Sequence, residues 1–166
     1  MVVLAIDTST PYLVLGLPRY EWTVRLERRH AEAIWDLLDE FLQRSHTVRE
    51  NLQGIAVGEG PGSYTGIRVG VAAGLGLARG LGLPVVGVGS LEACQRYPQP
   101  VTAAFSQRNE QVFRSSSTGQ SIKDALSGLY SLPAVVLDQP PSGRRLAHLG
   151  AQALQQGRRG IHPIYL

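Results

Sequence analysis

The chain of 166 residues has one cysteine, one methionine, almost no lysine and no long uncharged run. Each shortage removes a class of protein. A lone Cys94 cannot form an internal disulfide or a multi-cysteine zinc site, and it points to a reducing compartment. Nothing near it in sequence resembles a general base, so a small buried hydrophobe is its expected role. The weakly charged stretch 67–88 is interrupted by Arg68, Arg79, Pro84 and several glycines, which makes it a poor membrane span. The opening "MVVLAIDTST" has no basic region ahead of its apolar run and meets Asp7 at once, unlike a signal peptide. The expected location is cytoplasmic.

Charge is modest as well. The formal net charge is +3 with a sequence pI near 9.4, and the cations are scattered arginine pairs such as Arg28-Arg29, Arg144-Arg145 and Arg158-Arg159. That dispersion argues against direct nucleic-acid binding. What remains, 43% hydrophobic and 17% charged, fits one soluble domain or two small lobes. A chain of this size buries about 68–70% of its unfolded surface, so it needs no metal or disulfide to fold.

The first 27 residues read as three antiparallel strands, "VVLAID", "YLVLGL" and "WTVRLE", separated by turn-forming residues. Residues 30–44 form the clearest helix, with Ile34, Leu37, Leu38, Phe41 and Leu42 on one face. A strand over 52–58, a glycine-rich turn, a helix over 63–81 and a strand in "LPVVGVG" make a βαβ unit with a parallel connection. Ser90 is the expected N-cap of a short helix ending before Pro98. Beyond it, "VTAAFS" and "QVFRSS" are expected to pair around a turn at 107–110. "IKDALSGLY" is read as a short helix, "PAVVLD" as a strand and "PPSGRR" as a loop. The division falls at 97/98, giving a lobe over 1–97 and a smaller one over 98–166. Three strands, helix, strand, helix, strand is the order of one half of the actin/hexokinase/Hsp70-like (ASKHA) α/β fold, here with a shortened second half.

Three stretches bear on chemistry. In that fold Asp7, Thr8, Ser9 and Thr10 would face a phosphate and its Mg²⁺, but the same residues also close a hairpin as an Asx or Ser/Thr turn. The turn "GEGPGSYTG" is not a Walker A loop, because Ile67 and Arg68 follow Gly66 where a lysine is needed. Nor is it a nucleophile elbow around Ser63, since Pro61 and Thr65 occupy the glycine positions. Asp7, Thr8, Gly60, Gly62 and Ser63 are left as a phosphate-loop relic whose helix N-terminus can attract an anion. In the helix beyond, Gly66, Gly70, Gly74, Ala78 and Gly82 form one smooth stripe, and Ala72, Gly76 and Gly80 form another. Interior glycines each cost up to about 1 kcal/mol, so close contact should offset them. His30 lacks a second histidine one turn on, where Ile34 stands, so no metal site is visible and His30 reads as a capping or surface residue.

"LAIDTST", "RHAE" at the first helix, and "GEGPGSYTGIRVGVAAGLGLA" followed by "PVVGVGSLEA" resemble the TsaB (YeaZ) family, strongly over residues 1–93. Later, "HLGAQA" and "HPIYL" match family positions more thinly. "SQRNEQVF" retains Arg108 and Val112 but has Ser106 where the family has aspartate. The resemblance implies a two-lobed ASKHA fold and a non-catalytic partner of TsaD in tRNA threonylcarbamoyladenosine modification. It implies TsaE within the assembly, a homodimer when alone, tRNA reached through the complex, and no cofactor. It also implies an interface on the two long helices, assigned here to Ile34, Trp35, Leu38, Gly66, Gly70, Gly74 and Ala78. The competing reading is an enzyme of the same fold: an ATPase or kinase using Asp7 and the 58–66 loop, or a glycoprotease-like peptidase. The peptidase lacks a metal pair and a convincing triad. The ATPase would need the half-cleft that a trimmed second lobe should supply.

Overall fold

The computed structural model describes residues 1–27, 29–94, 102–106, 111–115, 121–132 and 135–165. A five-stranded sheet is built from β1 (Val3–Asp7), β2 (Tyr12–Leu17), β3 (Tyr20–Arg25), β4 (Gly54–Gly58) and β5 (Val85–Val88), in the order β3-β2-β1-β4-β5. The first three strands are antiparallel neighbours, while β4 joins β1, and β5 joins β4, in parallel. Helix α1 (His30–Arg44) leads from β3 toward β4, and α2 (Tyr64–Leu81) connects β4 to β5. This is the expected order of the actin/Hsp70-like α/β unit.

Every residue of β1 and β4 is buried, and the pleat divides their side chains between two cores. Leu4, Ile6, Ile55 and Val57 join Ile34, Leu38 and Phe41 of α1 on one side. Val3, Ala5 and Ala56 join Leu146, Ala147, Ala153 and Leu154 on the other. Truncating Leu38 or Phe41, each fully buried, should cost about 2–5 kcal/mol. Helix α2 starts at Ser63, whose hydroxyl oxygen accepts from the Gly66 amide at 3.2 Å. It ends at Gly82, whose φ of +66° closes the last turn.

A second sheet contains β6 (Thr102–Ser106), β7 (Gln111–Ser115), β8 (Ser121–Ala125) and β9 (Val135–Leu137), in the order β8-β7-β6-β9. The short α3 (Ser90–Ala93) leads to it, and Leu91 and Cys94 cluster with Ala103 and Phe105 of β6. The expected pairing of β6 with β7 is present. The expected boundary at 97/98 and the turn at 107–110 with Arg108 lie outside the described residues.

Three expectations are corrected. "IKDALSGLY" is not a helix: β8 pairs with β7, and a 3₁₀ helix (Leu126–Ser131) follows. Tertiary pairing overrides local propensity there, because Asp124 accepts from Arg114 Nε on the neighbouring strand at 2.7 Å. Ser90 does not cap α3; Gly89 holds that position without a side-chain bond. "PPSGRR" runs into an unforeseen helix, α4 (Gly143–Gln155), capped by Ser142 accepting from the Arg145 amide at 3.2 Å. Helix α4 lies on the five-stranded sheet so closely that a Cβ on Gly16 or Gly143 would overlap the other's backbone. The chain after the second sheet therefore returns to the first.

Candidate functional site

The ends of β1 and β4 meet the glycine turn, and Asp7 stands at their centre with no exposed surface. The Ser9 amide and hydroxyl donate to Asp7 Oδ1 at 2.8 and 2.6 Å, and the Ser90 hydroxyl donates to Oδ2 at 2.5 Å. Ser90 also accepts from the Gly60 amide at 3.1 Å, so one hydroxyl ties the carboxylate to the glycine turn. That tie is why Ser90 is absent from the helix cap. A Cβ on Gly58 would overlap Asp7 Oδ2, so only glycine fits below the carboxylate.

The other relic residues are equally engaged. Thr8 Oγ1 donates to the Gly66 carbonyl at 2.6 Å, and the Ser63 amide donates to the Ser9 carbonyl at 2.9 Å. Gly62 sits against Ser9, and the left-handed φ of +88° at Gly60 turns the chain. The structure thus brings Asp7, Thr8, Gly60, Gly62 and Ser63 together, but their polar groups bind one another. A wholly enclosed carboxylate holding three donors is a structural tie.

Burial pushes the Asp7 carboxyl above its ordinary 3.8, against the opposing pull of Ser9, Ser90 and nearby His30. Between pH 3.8 and the raised value the folded chain holds a proton that the unfolded chain has released. Stability from this group is complete below 3.8 and is lost as pH rises through the folded value. The melting temperature of the native chain relative to Asp7→Asn should therefore fall across that window. Parallel melting curves for the two proteins would show that the carboxyl is not shifted.

The expected interface needs correction. Ile34 and Leu38 are core residues of α1, and Gly66, Gly70, Gly74 and Ala78 are buried. A Cβ on Gly66 or Gly70 would strike Thr8, and one on Gly74 would strike Val57. This stripe seats α2 on its own sheet, because the four-residue spacing keeps one bare backbone edge toward β1 and β4. Of the assigned interface residues only Trp35 is exposed, at 47%. The second stripe faces outward: Ala72, Gly76 and Gly80 are exposed beside Leu75, itself 46% exposed. A Cβ on Gly76 or Gly80 would meet nothing within 4 Å.

The carboxyl-terminal segment holds the glycine turn from outside. Gly160 bridges to Val86 and Tyr165 to Gly62, while the Ile164 amide donates to the Glu59 carbonyl at 2.7 Å. Glu59 Oε1 accepts from the His162 amide. Burial raises the Glu59 carboxyl, opposed chiefly by that bond. Between the two sheets lies a cleft of about 530 Å³, lined in part by Ser9, Arg25, Ser63, Phe105 and Asp138. Ser106 donates its amide and hydroxyl to Asp138, both at 2.7 Å. Asp138 lies just past β9, so these bonds join the ends of two neighbouring parallel strands, which spacing alone could not reveal. Among the described residues, no group of three or more His, Cys, Asp or Glu is placed to hold a metal ion. No described helix is long and apolar enough to cross a membrane.

A family model described as TsaD, tRNA N6-adenosine threonylcarbamoyltransferase, matches residues 25–162. The chain belongs to this family. Its similarity to TsaB is direct: the tRNA threonylcarbamoyladenosine biosynthesis protein TsaB of Haemophilus influenzae is 28% identical over 149 residues. That match covers 84% of this chain and 63% of the relative. TsaB of Bacillus subtilis is 32% identical over 122 residues, covering 68% of this chain and 53% of the relative. This chain thus spans between half and two thirds of these relatives' length. The solved structure of YeaZ from Pseudomonas aeruginosa shares the fold, with a TM-score of 0.80 at 20% identity over 97% of each chain.

Proposed function

We propose that the chain is a non-catalytic partner of a TsaD-type transferase in forming threonylcarbamoyladenosine on tRNA. The observation that carries this reading is the outward face of the two lobe-one helices. Trp35 offers a large apolar anchor there, and the Ala72, Gly76 and Gly80 edge lets another helix approach closely. Enclosure of Asp7 by Ser9 and Ser90 fits a scaffold better than a catalyst, because a catalytic carboxylate must reach its substrate. In this reading TsaE joins the assembly, tRNA is reached through the complex, and the face pairs two copies when the partner is absent. The setting is the cytoplasm. The two-lobed division is kept with one change: residues from about 142 onward belong with the first lobe, since α4 lies on its sheet.

Co-expression with the TsaD-family transferase of the same organism tests the proposal. The two should co-purify, and tRNA modification by the transferase should need this chain while the chain alone turns over neither ATP nor peptide. Turnover by the chain alone that Asp7→Ala abolishes would establish the enzymatic alternative.

A further inference from the structure

Arginines that are scattered in sequence are partly gathered by the fold. After α4 the chain runs as a strap along the β5 edge of the first sheet and onto the glycine turn. Gly160 bridges Val86, the Ile164 amide donates to the Glu59 carbonyl, and Tyr165 bridges Gly62. Ile161 packs on the core of that sheet, while Arg158, Arg159, His162 and Tyr165 are exposed. Tyr165 meets Tyr64 at the start of α2, with ring centroids 4.8 Å apart and planes inclined at 54°. The Arg68 guanidinium lies 5.1 Å from the centre of the Tyr64 ring, and its Nη1 donates to the Tyr64 hydroxyl at 2.9 Å. Tyr64 and Tyr165 are still 53% and 42% exposed, so each ring keeps a free surface.

The charge on this track is all of one sign. Residues 60–91 and 139–166 contain no Asp or Glu. Arg68, Arg158 and Arg159 form no ion pair among the described residues, whereas Arg25, Arg44, Arg49, Arg114 and Arg144 each hold a carboxylate. Arg159 Nη1 donates to the Leu154 and Arg158 carbonyls at 3.0 and 2.7 Å, which fixes its place without neutralising it. Glu59 and Glu92 feel the charge of Arg158, but both are partly buried, and Glu59 turns its carboxylate to the His162 amide.

We infer that this track binds an unpaired stretch of RNA, with bases stacking on Tyr64 and Tyr165 and phosphates meeting Arg68, Arg158 and Arg159. Exposed rings interleaved with cations are what a single strand requires, because its bases present flat faces that a duplex hides. An acidic peptide would satisfy the arginines but would leave the two rings with nothing flat to meet. From Arg159 to Tyr165 the strap reaches at most about 25 Å, which suits a short strand. The choice of RNA rests on the tRNA reading above; the track itself does not.

Fluorescence anisotropy of the full chain with a labelled RNA strand of about ten nucleotides, free and in a duplex, tests the inference. At about 50 mM salt the single strand should bind saturably and the duplex more weakly. Tyr165→Ala should weaken single-strand binding about tenfold, and Tyr165→Phe should keep it. Arg68→Gln and Arg158→Gln should each lower the slope of log affinity against log salt by about 0.7, and Arg49→Gln, off the track, should not. All these side chains are exposed, so every variant should melt like the native chain. No saturable binding, a preference for the duplex, or native affinity in Tyr165→Ala would each overturn the inference. So would variants that keep RNA but lose the transferase, since the track would then dock protein. The measurement needs no transferase, so a failure to co-purify leaves the inference standing, and a failure to bind RNA leaves the partner reading standing.

Discussion

Gly74→Leu should cripple folding of the isolated chain, while Gly76→Leu, half a turn away, should leave it folded and slightly more stable. The contrast follows from what each new side chain meets. At Gly74 a Cβ alone would overlap Val57 Cγ2, with Ile55 close behind, and both residues are fully buried in β4. Helix and strand must separate to admit four carbons. Overpacking costs about 1–3 kcal/mol and more where neighbours cannot yield, as in this helix–sheet seam. For a domain of this size each kcal/mol lowers the melting temperature by about 2–4 °C, so a fall of about 10 °C or loss of folding is expected. At Gly76 the space is open, and replacing an exposed helical glycine recovers up to about 1 kcal/mol of helix propensity. Thermal melts of the two variants decide the matter. If Gly74→Leu melts like the native chain, α2 does not seat on β4 through this stripe.

The same pair of residues shows how far the sequence could be read. Four-residue spacing of small residues announced a close contact, and the contact exists. Which stripe faced inward could not be read from spacing, because Gly66-Gly70-Gly74 and Ala72-Gly76-Gly80 are equally smooth; only the neighbouring Thr8 and Val57 distinguish them. Helix α1 and the first four strands were legible because large apolar residues mark their period. Helix α4 was not, since much of its buried face is Gly143, Ala147, Gly150 and Ala153 rather than leucine. Such a face reads as a loop until a sheet is laid against it. Gly16 and Gly143, far apart in sequence, make room for that contact.

Asp7 illustrates a different limit. Its place beside a glycine turn and its turn-closing bond from the Ser9 amide were foreseen, but its tie to Ser90 was not. The donor that closes it off, Ser90, lies 83 residues away and looked locally like a helix cap. His30 had the reverse fate. It read as a surface or capping residue, yet it is buried with an unpartnered nitrogen. In both cases a polar residue's role is set by a neighbour that only the tertiary fold supplies.

Trp35→Ala and Leu75→Arg should each release the transferase partner without unfolding the chain, and this is the largest functional effect expected. Both side chains are nearly half exposed in the isolated chain, so removing either leaves the sheet's core intact. Tryptophan is the residue type most often found to anchor an interface, and truncating such an anchor typically costs 2 kcal/mol or more. That is about a thirtyfold loss in affinity. Leu75→Arg acts differently: it places a charge between the smooth positions Ala72 and Gly76, where a closely approaching helix would have to bury it unpaired. Arg68 and Arg79 already flank that face, so a further cation also adds like-charge repulsion. Pull-down with the TsaD-family transferase, read beside melting temperature and solution mass, separates interface from folding. Both variants should melt like the native chain, run as monomers and fail to retain the transferase. If both fold and still bind it with native affinity, the partner docks elsewhere, and the outward face of α1 and α2 is not the association surface.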